Sequence, residues 1–187
     1  LYAKIRYMAA VGHVQLGKLD DGLAGFQQLA KLTGPYEDLA ELQQLSHLNQ
    51  GRIYLEQGKL TASQDAYQNI PRSSPFFEQA MYESTWVYIR GAALAGDDFQ
   101  RVAEFQKALN ALEILLVSVT DERIGAESRI LVGNIYLWMG RHMEASEAFE
   151  EVVERYQAIY SELSMVQGRM VDPVEYYEEI SVRRQRG

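Results

Sequence analysis

The chain has 187 residues, no cysteine and a formal net charge of −8. That length suits one domain or one stacked array able to bury roughly 70% of its unfolded surface, and the missing cysteines exclude disulfides, thiolate metal sites and cysteine nucleophiles without deciding the compartment. The acidic balance argues against wrapping nucleic acid, which needs clustered Lys and Arg to neutralise phosphates; the one basic cluster, Arg183, Arg184 and Arg186, reads as a solvated helix end.

Apolar residues recur at spacings of three and four and only four prolines interrupt them, so nearly everything between turns reads as amphipathic helix. In chain order the predicted helices are 2–16 and 20–32, divided at Gly17, then 36–57 after Gly34-Pro35 and 61–70 after Gly58. The next spans 75–95, with Ser74 as N-cap and Pro75 at the first helical position. Helices over 98–118 after Gly96-Asp97, 121–139 capped by Thr120, and 142–163 after Gly140 follow. A ninth begins at Asp172-Pro173 and runs through Tyr176, Tyr177 and Ile180. No segment alternates with period two long enough for a sheet. The longest apolar stretch, Ala111 to Val119, is far below the ~20 residues of a membrane span. Because the chain opens at Leu1 already inside a helical pattern, it reads as a piece of a longer protein.

An internal repeat organises these helices. Gly51, Tyr54, Gly58 and Tyr67 return 82 residues later as Gly133, Tyr136, Gly140 and Phe149, and the turns near Gly17, Gly58, Asp97 and Gly140 lie 41, 39 and 43 residues apart. A period near forty with glycines and aromatics at helix–turn–helix spacing marks stacked hairpins, since one hairpin cannot bury its apolar stripe alone.

The segment Val132 to Gly140, followed by Ala145 and Phe149, resembles a tetratricopeptide repeat of the long-helix bacterial type, as do Gly51, Tyr54, Gly58, Ser63 and Tyr67, with Pro75 at that family's closing proline. Ala10, His13, Gly17, Gly22 and Phe26 form a weaker first unit. The third diverges: Trp86 and Tyr88 read as its helix-A aromatics, Gly91 to Gly96 as an inserted turn, and Val102 stands where a small residue belongs. The resemblance covers Leu1 to Glu162. It implies an all-α, right-handed α-solenoid of four hairpins over 1–163, then a linker and capping helix over 164–187. The run Pro71 to Ala80 is similar to the linker of bacterial envelope proteins of this class, such as outer-membrane assembly lipoproteins and division coordinators, which leaves cytoplasm and cell envelope both open.

Catalysis finds little support. His13, His47 and His142 show neither metal-ligand spacing nor a serine or carboxylate motif, and Glu144, Glu147, Glu150, Glu151 and Glu154 read as a solvated helix face. No cofactor or metal is expected. The resemblance implies instead a protein or peptide partner held by the inner face of the helix-A wall. Its inward positions map to Lys4, Tyr7 and Val11, to Leu48, Arg52 and Leu55, to Tyr82, Trp86, Ile89 and Arg90, and to Ile130, Asn134, Leu137 and Trp138. Ten of these are expected to touch the partner: Tyr7, Leu48, Arg52, Leu55, Tyr82, Trp86, Ile89, Arg90, Asn134 and Trp138. Trp, Tyr and Arg carry most energy at interface centres. The alternative is a homo-oligomeric structural module of a larger bacterial assembly, in which the same apolar surfaces pair with copies of themselves.

Overall fold

The computed structural model describes residues 1–36, 38–169 and 177. Among them are eight α-helices and no strand: α1 (Tyr2–Gln15), α2 (Leu19–Ala30), α3 (Leu39–Glu56), α4 (Leu60–Gln68), α5 (Phe77–Leu94), α6 (Asp98–Ser118), α7 (Glu122–Trp138) and α8 (His142–Arg169). Each helix packs on the next, and α1 also touches α3, α3 touches α5 and α5 touches α7. The hairpins therefore stack in a row with the odd-numbered helices forming one wall, the arrangement of an α-solenoid.

Apolar clusters join successive hairpins. Phe26, Leu23 and Ala10 meet Ile53 between the first and second; Leu48, Tyr67 and Ile70 meet Ala80 and Val87 between the second and third. Between the third and fourth, Phe105, Leu109 and Leu112 meet Leu131 and Ile135. Each fully buried side chain of this size contributes roughly 1.5–3 kcal/mol against exposure, so the stack and not any single helix carries the stability.

Three of the four hairpins close alike. Gly17, Gly58 and Gly140 have φ of 75°, 71° and 73°, a left-handed conformation that costs glycine nothing, and the next residue's N–H returns to the carbonyl five residues back: Lys18 to His13, Lys59 to Tyr54, Arg141 to Tyr136. Within the second hairpin α3 and α4 approach so closely that a Cβ on Gly51 would lie 2.7 Å from the Tyr67 ring, and Ser63 Oγ donates to the Gly51 carbonyl at 2.7 Å. The fourth repeats this, with a Cβ on Gly133 falling 2.5 Å from Phe149. In both, the facing residues are sixteen apart in sequence.

The third hairpin departs from that pattern, and differently from the sequence expectation. Gly91 to Gly96 is no inserted turn: residues 91–94 complete α5, Ala95 is extended (φ −61°, ψ 136°), and Asp97 caps α6 by accepting from the Gln100 N–H at 2.8 Å. A Cβ on Gly91 would meet the Glu104 carboxylate, and Glu104 lies one 41-residue step from Ser63, so the crossing keeps its register while the turn comes three residues early: α5 ends at Leu94 and α6 starts at Asp98, where 97 and 101 would match the second hairpin. Glu104, not the exposed Val102, occupies the facing position. Ala10, Gly51, Ala92 and Gly133 nevertheless fall at uniform steps of 41, so the uneven turn spacing reflects this early closure and not a change of repeat length.

Two caps are also corrected. Ser74 Oγ accepts from the Phe76 N–H and donates to Gln44, ordering the turn before α5, whose own N-cap position is Phe76. Asp121 rather than Thr120 caps α7, accepting from the N–H groups of Arg123 and Ile124. Helix α8 runs to Arg169, six residues past its predicted end, and the predicted capping helix from Asp172 lies outside the described residues except for Tyr177, which is exposed.

Candidate functional site

The wall of odd-numbered helices has two differently built halves. Along α1, α3 and the start of α5 several polar groups are tied to one another, although His47 Nδ1 and Gln50 Nε2 of α3 are buried without a hydrogen-bond partner. Asn49 Nδ2 donates to the Tyr7 hydroxyl at 3.0 Å; Arg52 grips Glu83 through Nε at 2.7 Å and Nη2 at 2.5 Å; Glu83 also accepts from Gln79 at 3.0 Å and from the Tyr67 hydroxyl at 3.3 Å. The Glu83 side chain is largely buried, so this bidentate pair is stronger than a surface one. Its hydrogen bond to Glu83 raises the Arg52 guanidinium further above its ordinary value, and burial followed by the Glu83 charge raises the Tyr67 phenol. Lys4 and Asp38 form a further ion pair at 2.6 Å.

Along α5 and α7 the wall turns apolar and open. Trp86 is 38% exposed with Arg90 one turn further on, and α7 presents Ile130 (43% exposed), half-buried Asn134 and exposed Leu137. Arg90 has no ion-pair partner among the described residues. Trp138, 48% exposed, stacks on Phe105 of α6 with ring centroids 6.1 Å apart.

Of the ten residues predicted to touch a partner, Trp86, Arg90 and Asn134 share this open stretch, with Trp138 at its edge. Leu48 is 2% exposed in the cluster joining the second and third hairpins, so it offers no surface to a partner. Leu55 packs on the same cluster, and Tyr82 and Ile89 pack on the next. Burial raises the Tyr82 phenol above its ordinary value. Tyr7 packs on Phe26 and Arg52 is held by Glu83, so both serve the frame.

No protein-family model matches the chain, and no curated protein matches its sequence. Among solved structures it resembles the crystal structure of a thermophilic TPR protein from Thermus thermophilus, with a TM-score of 0.57 and 16% identity, over 95% of this chain and 89% of that one. The fold is that of a tetratricopeptide-repeat solenoid.

Elsewhere this TPR solenoid gathers little that suggests chemistry. Among the described residues no group of three His, Asp or Glu side chains is arranged to hold a metal ion, and no helix is long and apolar enough to cross a membrane. His47 is half-buried in α3, and desolvation lowers its pKa from the ordinary value.

Two structural anchors escaped the sequence reading. One is Glu83. The other is Glu78, at the start of α5, which accepts from the Thr120 N–H, the Thr120 hydroxyl and the Asp121 N–H at 2.8–2.9 Å and so fastens the α6–α7 connection. Desolvation pushes the Glu78 carboxyl up, but the hydrogen bonds from Asp121 and Thr120 outweigh it and hold the group below its usual range. Both glutamates act across helices from different hairpins, a relation that i,i+4 patterning does not encode.

Proposed function

We propose that this TPR solenoid is a non-catalytic scaffold that holds a protein or peptide segment against the open stretch of α5 and α7. The observation that carries this reading is an exposed Trp86 beside Arg90, which lacks an ion-pair partner among the described residues, whereas Arg52 on α3 is held by Glu83. Indole and guanidinium are the side chains that most often dominate interface energy, and Ile130 and Leu137 supply apolar ground on the neighbouring helix. An amphipathic or extended segment with apolar anchors and a carboxylate for Arg90 suits this surface.

Affinity capture with the wild type and with Trp86→Ala plus Arg90→Ala tests the reading. Loss of the captured partner with an unchanged melting transition is expected; an unchanged partner list from a folded variant contradicts it.

A second reading, self-association, draws on α8, where Val153, Tyr160 and Leu163 are all exposed along one side of the last hairpin. Light scattering from about 1 to about 100 μM separates the two, because a homo-oligomer dissociates on dilution. A monomer throughout removes the second reading.

A further inference from the structure

The early closure of the third hairpin leaves a cleft of about 590 Å³ between α4 and the α5–α6 tip, within the roughly 300–1,000 Å³ of ligand sites. Neither Trp86 nor Arg90 lines it. Its apolar wall is Leu60, Val87, Tyr88, Leu94 and Phe99, and the last two are 61% and 85% exposed.

The flanking junctions show what belongs in such a corner. Between the first and second hairpins it is filled by Tyr54, which packs on the cluster of Leu23 and Phe26 and accepts a hydrogen bond from Gln27 at 2.8 Å. Between the third and fourth it is filled by Tyr136, packed on the cluster containing Phe105, with the Arg141 guanidinium 4.8 Å over its ring. One 41-residue step from each tyrosine falls Ala95, and Ala95 lines the cleft. The second hairpin thus meets a third that has lost its aromatic filler.

A second change occurs in the same corner. Leu23 and Phe105 are the apolar residues facing Tyr54 and Tyr136, and the matching 41-residue position on α4 is Gln64. Gln64 lines the cleft, and its Oε1 is buried without a hydrogen-bond partner. An orphaned buried acceptor costs free energy unless a donor reaches it. The cleft rim carries the carboxylates of Asp65 and Glu104, the latter already paired with Lys107 at 2.6 Å, and no lysine or arginine lines it.

We propose that this cleft is a binding site for a tyrosine side chain of a partner protein, flanked in the partner by basic residues. The ring takes the place that Tyr54 and Tyr136 occupy at the neighbouring junctions, the Gln64 amide turns its Oε1 into the cleft to accept from the hydroxyl, and an adjacent cation meets Asp65. A tyrosine suits the site better than a purely apolar side chain because only its polar tip satisfies the amide.

The test uses the full chain and three acetylated, amidated tripeptides, Lys-Tyr-Lys, Lys-Phe-Lys and Lys-Ala-Lys, titrated by NMR. Saturable binding of the tyrosine peptide is expected, about fivefold tighter than the phenylalanine peptide, with the alanine peptide at least about tenfold weaker than the tyrosine one. Gln64→Leu should erase the tyrosine-over-phenylalanine preference while keeping both. Ala95→Tyr should fill the cleft from within, abolish binding and raise the melting temperature; if it misfolds, Leu94→Ser with Phe99→Ser tests the same wall and should weaken binding at least about tenfold. Equal binding of all three peptides, no binding up to about 10 mM, or binding indifferent to both wall variants overturns the proposal. Self-association that Ala95→Tyr abolishes would assign the cleft to a second copy and also overturn it.

Discussion

The second and third hairpins begin from the same repeat and end as opposites. In the second, Gly51 admits the Tyr67 ring, Gly58 turns the chain and Tyr54 fills the corner against its neighbour. In the third, the turn is extended, the facing position holds Glu104 and the corner residue is Ala95, leaving a cleft and an exposed Trp86 where the second hairpin is closed. Frame and variation are thus separated along one chain: strict hairpins fix the stack, and the relaxed one spends its positions on surface.

The largest contrast concerns glycine at the helix crossings. Gly51→Ala drives a methyl into a Tyr67 ring that is 4% exposed and tied to Glu83, and should cost about 2–3 kcal/mol in denaturant melts. Gly91→Ala meets only the movable end of Glu104 and should be neutral or stabilising by up to about 1 kcal/mol through helix propensity. Equal losses at both positions would erase the distinction between the hairpins.

The next contrast lies in how the third hairpin is fastened. Arg52→Ala or Glu83→Ala should each destabilise by about 1–2 kcal/mol, with a coupling of about 1 kcal/mol in a double-mutant cycle, because Glu83 binds the second hairpin to the third. Glu78→Gln should cost roughly 1–2 kcal/mol by weakening the clasp on Thr120 and Asp121. Its carboxyl is held below the ordinary 4.5, so its contribution is present above that pH and lost as pH falls through the folded value. A wild-type acid-melting profile that Glu78→Gln leaves unaltered would remove Glu78 from this role.

The smallest contrast is at the turns. Gly58→Ala or Gly140→Ala forces a side chain into the left-handed region and should cost about 1 kcal/mol, whereas Gly96→Ala, where no positive φ is required, should change stability by less than about 0.5 kcal/mol or raise it.

Much of this architecture was legible in the sequence because its signals are steric and local. Gly51 and Gly133 recur where a Cβ would collide, Tyr67 and Phe149 recur where a ring fills the crossing, and the turn glycines mark the ends of helices. The third hairpin was misread because its departures are substitutions and not insertions: with Gly58's equivalent replaced by Phe99 and Tyr54's by Ala95, the turn lost its signature and seemed longer than it is. The candidate site was legible only where exposure and residue type agree, as at Trp86 and Arg90. Leu48 and Arg52 share the same inward spacing, yet one is buried by the next hairpin and the other is held by Glu83, and neither outcome is visible until helices 31 residues apart in sequence are side by side.

The central claim, that the relaxed third hairpin and its neighbour do the binding while the strict hairpins frame them, is tested most directly by hydrogen exchange on the captured complex. Partner-dependent protection should concentrate in α5 and α7, between Phe77 and Trp138, and leave α1 to α3 at their free-protein rates. Protection centred on α1 and α3, with Trp86 and its surroundings unchanged, would contradict it.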